Sequence, residues 1–318
     1  MKRDNMIKIY YTQDGITSEI DEIRENCWIN MINPTEEELT MITKRFQLDP
    51  DDLRGPLDEE ESSRIDTEEN YTLVLFDIPT VEVRNEKNRF VTIPIGVILH
   101  KQAIITVCLE NTPVLDFPAG KRANTFNTRM KTRFLLQILF ANAKLYLKNL
   151  RSIYKQSEEL EKNLHDSTEN AALIDMMELG KSLLYFTTSL KSLNNILEKM
   201  IKTESIKKYP EDEELIEDVI IEVKQAVEMS EIYSGILNGM MDAYASIIAN
   251  NMNVVMKFLA IATIVLSIPN IITGAYGMNI ASESMPFARN PHAFLIINVI
   301  AVVLSLICLY YFMHKRMY

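Results

Sequence analysis

Two long runs without a charged side chain stand near the end of the chain. They constrain it more than any other feature. The first covers residues 258–282 and the second residues 293–313, 25 and 21 positions respectively. About 20 apolar residues, each rising ~1.5 Å along a helix, cross a hydrocarbon layer of roughly 30 Å. Both runs are expected to be transmembrane helices. A pair of buried core helices is the competing reading. It is disfavoured because residues 293–313 are apolar around nearly the whole helical circumference, which demands apolar surroundings on every side.

Charge is segregated in the same way. The chain of 318 residues carries a net charge of −11, yet residues 258–318 hold one acid (Glu283) and three bases (Arg289, Lys315, Arg316). The first 257 residues therefore carry −13 and the rest +2. Lys257 precedes the first span, and Lys315 and Arg316 follow the second. Positive charge is retained on the cytoplasmic side, so both ends are expected in the cytoplasm and the short loop outside. The N-terminus has no apolar leader segment, in keeping with that placement. A strongly acidic chain excludes nucleic acid as the main partner, because phosphate recognition needs a basic surface. The three cysteines, Cys27, Cys108 and Cys308, are far apart and form no CxxC pair. They are expected to be small buried hydrophobes in a reducing compartment.

Residues 1–118 read as a mixed α/β domain. Apolar, β-branched runs at 7–11, 28–31, 71–76, 91–99 and 103–108 are expected strands, the last two forming a hairpin. Pro34 followed by Glu36, Glu37 and Glu38 opens a helix. Residues 49–69, with ten acids against two arginines, read as a solvated loop that could also concentrate divalent cations.

Residues 119–257 read as a helical stalk, with helices over about 130–165 and 171–202 and a polar turn at 207–210. From Leu215 through Val219, Val223, Ala226, Ser230, Tyr233, Leu237, Met240 and Tyr244 to Ile247, apolar or small residues recur mostly at steps of three and four. No proline interrupts residues 211–268. One helix is expected to run from the stalk straight into the membrane, the start of a two-span domain over 258–318.

The first span carries a polar stripe. Asn253, Met256, Ala260, Thr263, Ser267, Asn270, Gly274 and Gly277 recur at steps of 3, 4, 3, 4, 3, 4 and 3. Polar residues in a membrane helix face a bundle interior or water, whereas small residues also serve close helix packing. Asn253 and Asn270 favour a water-filled path. The second span has only Asn298, Ser305 and Cys308 as mildly polar members and reads as the outer helix. Two spans cannot enclose a pore, so the path requires a homo-oligomer with the first span innermost. No carboxylate lies in either span. Such a path would bind a cation through amide and backbone oxygens or through the ion's own water, which suits Mg2+, an ion that dehydrates reluctantly.

The first span ends in Tyr276-Gly277-Met278-Asn279, 39 residues before the end of the chain. Following a long helix and an α/β domain, this Gly-Met-Asn closely resembles the signature of the CorA family of magnesium transporters. The resemblance extends over nearly the whole chain and is strongest over residues 210–318. It implies an α+β cytosolic domain, long stalk helices and two transmembrane helices, assembled as a homopentameric funnel in the cell membrane with membrane lipid around it. It implies channel-like transport of Mg2+ and no enzymatic activity. Gly277, Met278 and Asn279 match the outer ring that selects the hydrated ion, in an outer loop over 277–292. Asn253, Met256 and Leu259 match the family's polar constriction and hydrophobic gate, with Thr263, Ser267 and Asn270 further along the path. Leu259 lies one position off the stripe, and Ser267 stands where some members carry a bulkier residue.

The same resemblance implies a regulatory Mg2+ between subunits that holds the pore closed. Asp218 matches the stalk member of that site, and Glu222, one turn on, could assist. A solvated helix face is the competing reading, and residues 66–69 are one place to look for the partner acid. Two departures stand out. Met285-Pro286 is followed by Phe287 rather than by an acid, with Glu283 preceding it, and only His314, Lys315 and Arg316 remain of a basic C-terminal run. Transport of another divalent cation (Zn2+, Co2+ or Ni2+) and a non-conducting membrane-anchored sensor remain the alternatives. An enzyme is disfavoured on the residues alone. Gly120-Lys121-Arg122 lacks the rest of a phosphate-binding loop, and His100, His165, His292 and His314 are scattered.

Overall fold

The computed structural model describes residues 7–84, 87–116, 126–164, 170–202, 212–278, 285–287 and 290–314. The polar turn expected at 207–210, together with Asn279, Glu283, Lys315 and Arg316, lies outside the described residues. The chain divides into two compact units, Met1–Met241 and Asp242–Tyr318.

The first unit is built on a seven-stranded sheet of order β2-β1-β3-β7-β6-β5-β4. Its strands are β1 Ile7–Gln13, β2 Ile16–Ile20, β3 Cys27–Ile32, β4 Arg64–Thr67, β5 Tyr71–Arg84, β6 Lys87–His100 and β7 Ala103–Cys108. Only β3 and β7 pair in parallel; the other neighbours are antiparallel. The expected strands are all present and the β6–β7 hairpin forms. Two elements were not anticipated. β2 returns from β1 through Asp14 and Gly15, both with positive φ (52° and 81°), the conformation a two-residue hairpin turn requires. β5 and β6 are 14 residues each and pair along their full length.

The near-continuous apolar runs of the central strands follow from covering both sheet faces. On one face Ile29, Met31, Leu73, Leu75, Ile98 and Ile105 pack with Leu39, Ile42 and Phe46 of helix α1 (Glu36–Phe46). On the other, Trp28, Val74, Phe76, Val97 and Ile104 pack with Phe134, Ile138 and Leu139 of α3 (Lys131–Leu164) and Leu193 and Leu197 of α4 (Asn170–Lys202). Helix α1 starts at a capping box. Thr35 Oγ1 accepts from the Glu38 amide (3.3 Å), and Glu38 Oε2 accepts from the Thr35 amide (2.8 Å).

The acidic stretch is not an unstructured solvated loop. Asp49 caps a short helix α2 (Pro50–Arg54), a 3-10 turn follows at Gly55–Leu57, and β4 adds to the sheet edge. Arg64 makes this possible by gathering the acids. It bonds Glu61, donates to Asp66 Oδ2 (2.5 Å) and lies 3.9 Å from Asp52 Oδ1. The Tyr71 hydroxyl donates to Asp52 (2.7 Å). The 3-10 turn crosses β6 so closely that a Cβ on Gly96 would overlap Pro56, and glycine is needed there.

Helix α5 (Glu213–Tyr276) is a single element of 64 residues. Within the first unit Val219, Val223, Ala226, Ser230 and Leu237 of the expected seam are buried, and Tyr233 packs beside them. Asp212, fully buried, receives a hydrogen bond from Arg133 Nε (2.5 Å) and ties the start of α5 to α3. The seam's last member, Ile247, is exposed. The final helix, α6, is Ala293–His314.

Candidate ion path and cation sites

Helix α5 passes through Pro269 and continues to Tyr276, two turns beyond the proline-free stretch. The most apolar windows of α5 and α6 are each only 6% buried within the chain. A core helix of a soluble protein would be mostly buried, so these two helices carry surfaces that something else must cover.

The geometry of the second unit divides α5 into two faces. Ile261, buried, and Val265, Ile268, Ile272 and Tyr276, half-buried, recur on one side. The matching side of α6 is Ile297, Ala301, Ser305 and Phe312. At about 100° per residue, the polar stripe lies roughly 160° round the helix from this face. Asn253, Met256, Ala260, Thr263, Asn270, Gly274 and Gly277 are exposed, Ser267 is half-buried, and Leu259 is exposed beside the stripe. The chain thus brings these residues onto one open side, while its second span occupies the opposite side.

The hydroxyls of the stripe are turned back along the helix. Thr263 Oγ1 donates to the Leu259 carbonyl (2.8 Å) and Ser267 Oγ to the Thr263 carbonyl (2.7 Å). Each hydroxyl proton is therefore engaged, and the oxygen keeps lone pairs for an ion's water or for the ion itself. At the end of α5 the Gly277 amide donates to the carbonyls of Thr273 (2.9 Å) and Gly274 (3.2 Å). Gly277 stands in the turn that ends α5 and is not among the positive-φ glycines. A Cβ there would sit 3.4 Å from the Thr273 carbonyl oxygen and 3.6 Å from that of Gly274, both ordinary contact distances. The Tyr276 hydroxyl then donates to the Pro286 carbonyl (2.9 Å), fastening the loop to the helix end. Met278 is exposed; the position of Asn279 lies outside the described residues.

Asp218 is exposed and Glu222 half-buried on α5. Among the described residues no group of three or more His, Cys, Asp or Glu side chains is placed to hold a metal. Of the acids considered as partners, Asp66 is engaged by Arg64, while Glu68 and Glu69 are exposed. Two other carboxyls are held above their ordinary value. Burial raises Asp52, partly offset by the Tyr71 hydroxyl, and burial raises Asp77, partly offset by the Ser189 hydroxyl.

An α+β domain whose long helix α5 continues as the first of two helices apolar enough to cross a membrane, with a polar stripe left open on it, fits a two-span membrane protein of the ion-transporter class. Residues 24–316 match the model of the CorA-like Mg2+ transporter protein family, and the chain belongs to that family. It is 27% identical over 314 residues to the cobalt/magnesium transport protein CorA of Methanocaldococcus jannaschii, covering 96% of this chain and 97% of that one. It is 21% identical to the CorA protein of Thermotoga maritima, covering 91% and 82%. The complete structure of the Methanocaldococcus jannaschii CorA magnesium transporter superposes with a TM-score of 0.80 at 25% identity over 99% of both chains. Full-length CmaX shares the fold, with a TM-score of 0.68 at 14% identity.

Proposed function

We propose that this chain carries Mg2+ across the cell membrane as a channel-like homopentamer, with the α5 stripe lining the path and α6 facing lipid. Membership of the CorA-like transporter family supports Mg2+ transport and no enzymatic role. The observation that carries the pore reading is the position of the stripe, roughly 160° from the face that meets α6. Within one chain nothing on the second span covers Asn253, Thr263 or Asn270, and copies of α5 arranged around an axis cover them together. Asn253, Met256 and Leu259 then form the cytosolic constriction, and Gly277, Met278 and Asn279 form the outer selectivity ring. An amide oxygen at Asn279 holds a hydrated cation without a full charge, so the ion can leave again. With both termini in the cytoplasm, an inside-negative potential favours entry by about 2.3 kcal/mol per charge per 100 mV, doubled for a divalent ion.

Gating follows from the acids of the stalk. Asp218, assisted by Glu222, binds a regulatory Mg2+ together with an acid of the neighbouring copy. When cytosolic Mg2+ falls, the site empties, like charges repel and the closed arrangement loosens.

Uptake of Mg2+ into proteoliposomes tests the pore. Asn279→Ala is expected to abolish it, and unchanged uptake would remove the outer ring from the reading. Competition by Co2+, Zn2+ and Ni2+ in the same assay identifies the preferred ion; the two CorA relatives are cobalt/magnesium transport proteins. Asp218→Ala is expected to weaken protection of the soluble domain from protease by Mg2+, and full retention of protection would count against the gating site.

A further inference from the structure

We propose that Ser305, on the second span, is a positioning residue of the path: its hydroxyl is the donor that replaces the backbone hydrogen bond that Pro269 deletes from Val265. Proline has no N–H, so the carbonyl four residues earlier in a helix loses its partner. In α5 that carbonyl belongs to Val265, because Pro269 lies inside the helix. A carbonyl left bare in hydrocarbon is costly, and proline persists in membrane helices where a neighbouring group re-satisfies it. Ser305 Oγ stands 3.5 Å from the Val265 carbonyl oxygen and 2.9 Å from its own helix's Ala301 carbonyl.

The surroundings fit the role. Val265 and Ser305 are half-buried between the two helices, and Ile261 and Ala301 beside them are buried. Ala301 is small, which lets the two backbones approach. The other hydroxyls along this part of α5 are engaged elsewhere. Thr263 donates to Leu259, Ser267 to Thr263, and Thr273 to Pro269 (2.9 Å). Ser305 has one hydroxyl proton and two carbonyls to give it to, so a small rotation moves the bond between its own helix and the path-lining helix. Val265 lies within one turn of Ser267 on the stripe, and Asn270 directly follows Pro269. The direction of α5 at its proline, and with it the placing of those two side chains, is set from the second span through this bond.

The test is a double-substitution cycle in the full chain. Ser305→Ala and Ser305→Thr are made with Pro269 present and with Pro269→Ala, whose restored amide would satisfy Val265 by itself. Initial Mg2+ flux in proteoliposomes is expected to change about three- to tenfold in Ser305→Ala, the scale of one hydrogen bond. It should be retained in Ser305→Thr and be insensitive to Ser305→Ala once Pro269 is replaced. An equal change in both backgrounds would reduce Ser305 to packing and overturn the assignment. This arm rests on the Mg2+ reading above; a second arm does not. Labelling valine carbonyl carbon and leucine nitrogen selects the Val–Leu pairs at 74–75, 114–115, 265–266 and 303–304. The carbonyl resonance of Val265 is expected to move in Ser305→Ala when Pro269 is present. An unmoved resonance would overturn the proposal whatever the flux, and it decides the matter even where Pro269→Ala does not fold.

Discussion

The two units use the same residue types in opposite ways. In the first, Phe76, Phe134 and Phe186 are at most 1% exposed and lie between sheet and helices or between helices. In the second, Phe294 is 84% exposed and Leu304 45% exposed, and among the described apolar residues of the two spans only Ile261 and Ala301 are buried. A domain that buries its own apolar surface is held by it, at roughly 25 cal/mol per Å2. A unit that leaves such a surface open depends on its surroundings to cover it, which in the proposed assembly are lipid on one side and further copies on the other. The polar stripe then lies away from the face that meets α6, on a side of α5 whose other exposed residues, such as Leu259, Leu266 and Ile271, are aliphatic.

The comparison breaks most visibly in the first unit. Phe76→Ala removes a fully buried ring from the face of β5 that meets α3 and α4. It is expected to destabilise that unit by about 3–5 kcal/mol. Denaturant unfolding followed by Trp28 fluorescence measures it, because Trp28 belongs to the same core. The apolar unit should keep its helicity in detergent through the same titration.

The second prediction tests the opposite surface. Val303 is 46% exposed near the middle of α6, on the side away from Ala301 and Ser305. Exposure of this kind tolerates charge in water but not in hydrocarbon. Val303→Arg is expected to weaken membrane insertion of α6 by about 2.5–3.5 kcal/mol, read as the inserted fraction in a glycosylation-reporter assay. Insertion equal to that of the unaltered chain would mean that α6 does not meet lipid there.

This inversion also explains what was legible in the sequence. Both apolar helices and the long α5 were readable because nothing local competes with an uncharged run or a three–four repeat. The family was readable from Gly277-Met278-Asn279 in its context. The hairpin β1–β2 is faint in the sequence because Ile16–Ile20 (Ile-Thr-Ser-Glu-Ile) is an edge strand with little apolar content, marked only by its turn at Asp14–Gly15. The acidic stretch was misread because composition says nothing of Arg64 drawing Glu61, Asp66 and Asp52 together. The role of Pro269 was hidden for a different reason. Ser305 is 36 positions away, and only the packing of α6 on α5 brings it to Val265.

The smallest effect sharpens the comparison from inside the first unit, where a half-buried carboxyl lies among hydroxyl and amide groups. Asp77 on β5 accepts a hydrogen bond from Ser189 of α4 (2.5 Å), while its main-chain carbonyl accepts from Asn142 (3.0 Å) and Tyr146 (3.3 Å) of α3. Burial pushes its carboxyl above the ordinary 3.8, against the pull of the Ser189 bond. A carboxyl raised in the folded state binds its proton more tightly there than in the unfolded chain. Its contribution to stability is therefore present below the ordinary value and is lost as pH rises through the raised one. Asp77→Asn keeps an acceptor for Ser189 and carries no charge. It is expected to stabilise the first unit by about 1 kcal/mol at neutral pH, with no gain near the acid limit. Unfolding midpoints measured from acid to neutral pH give the profile. A gain that does not depend on pH would show that Asp77 acts through shape rather than charge. A loss at neutral pH would show that its ionised form is the one that ties the sheet to the helices.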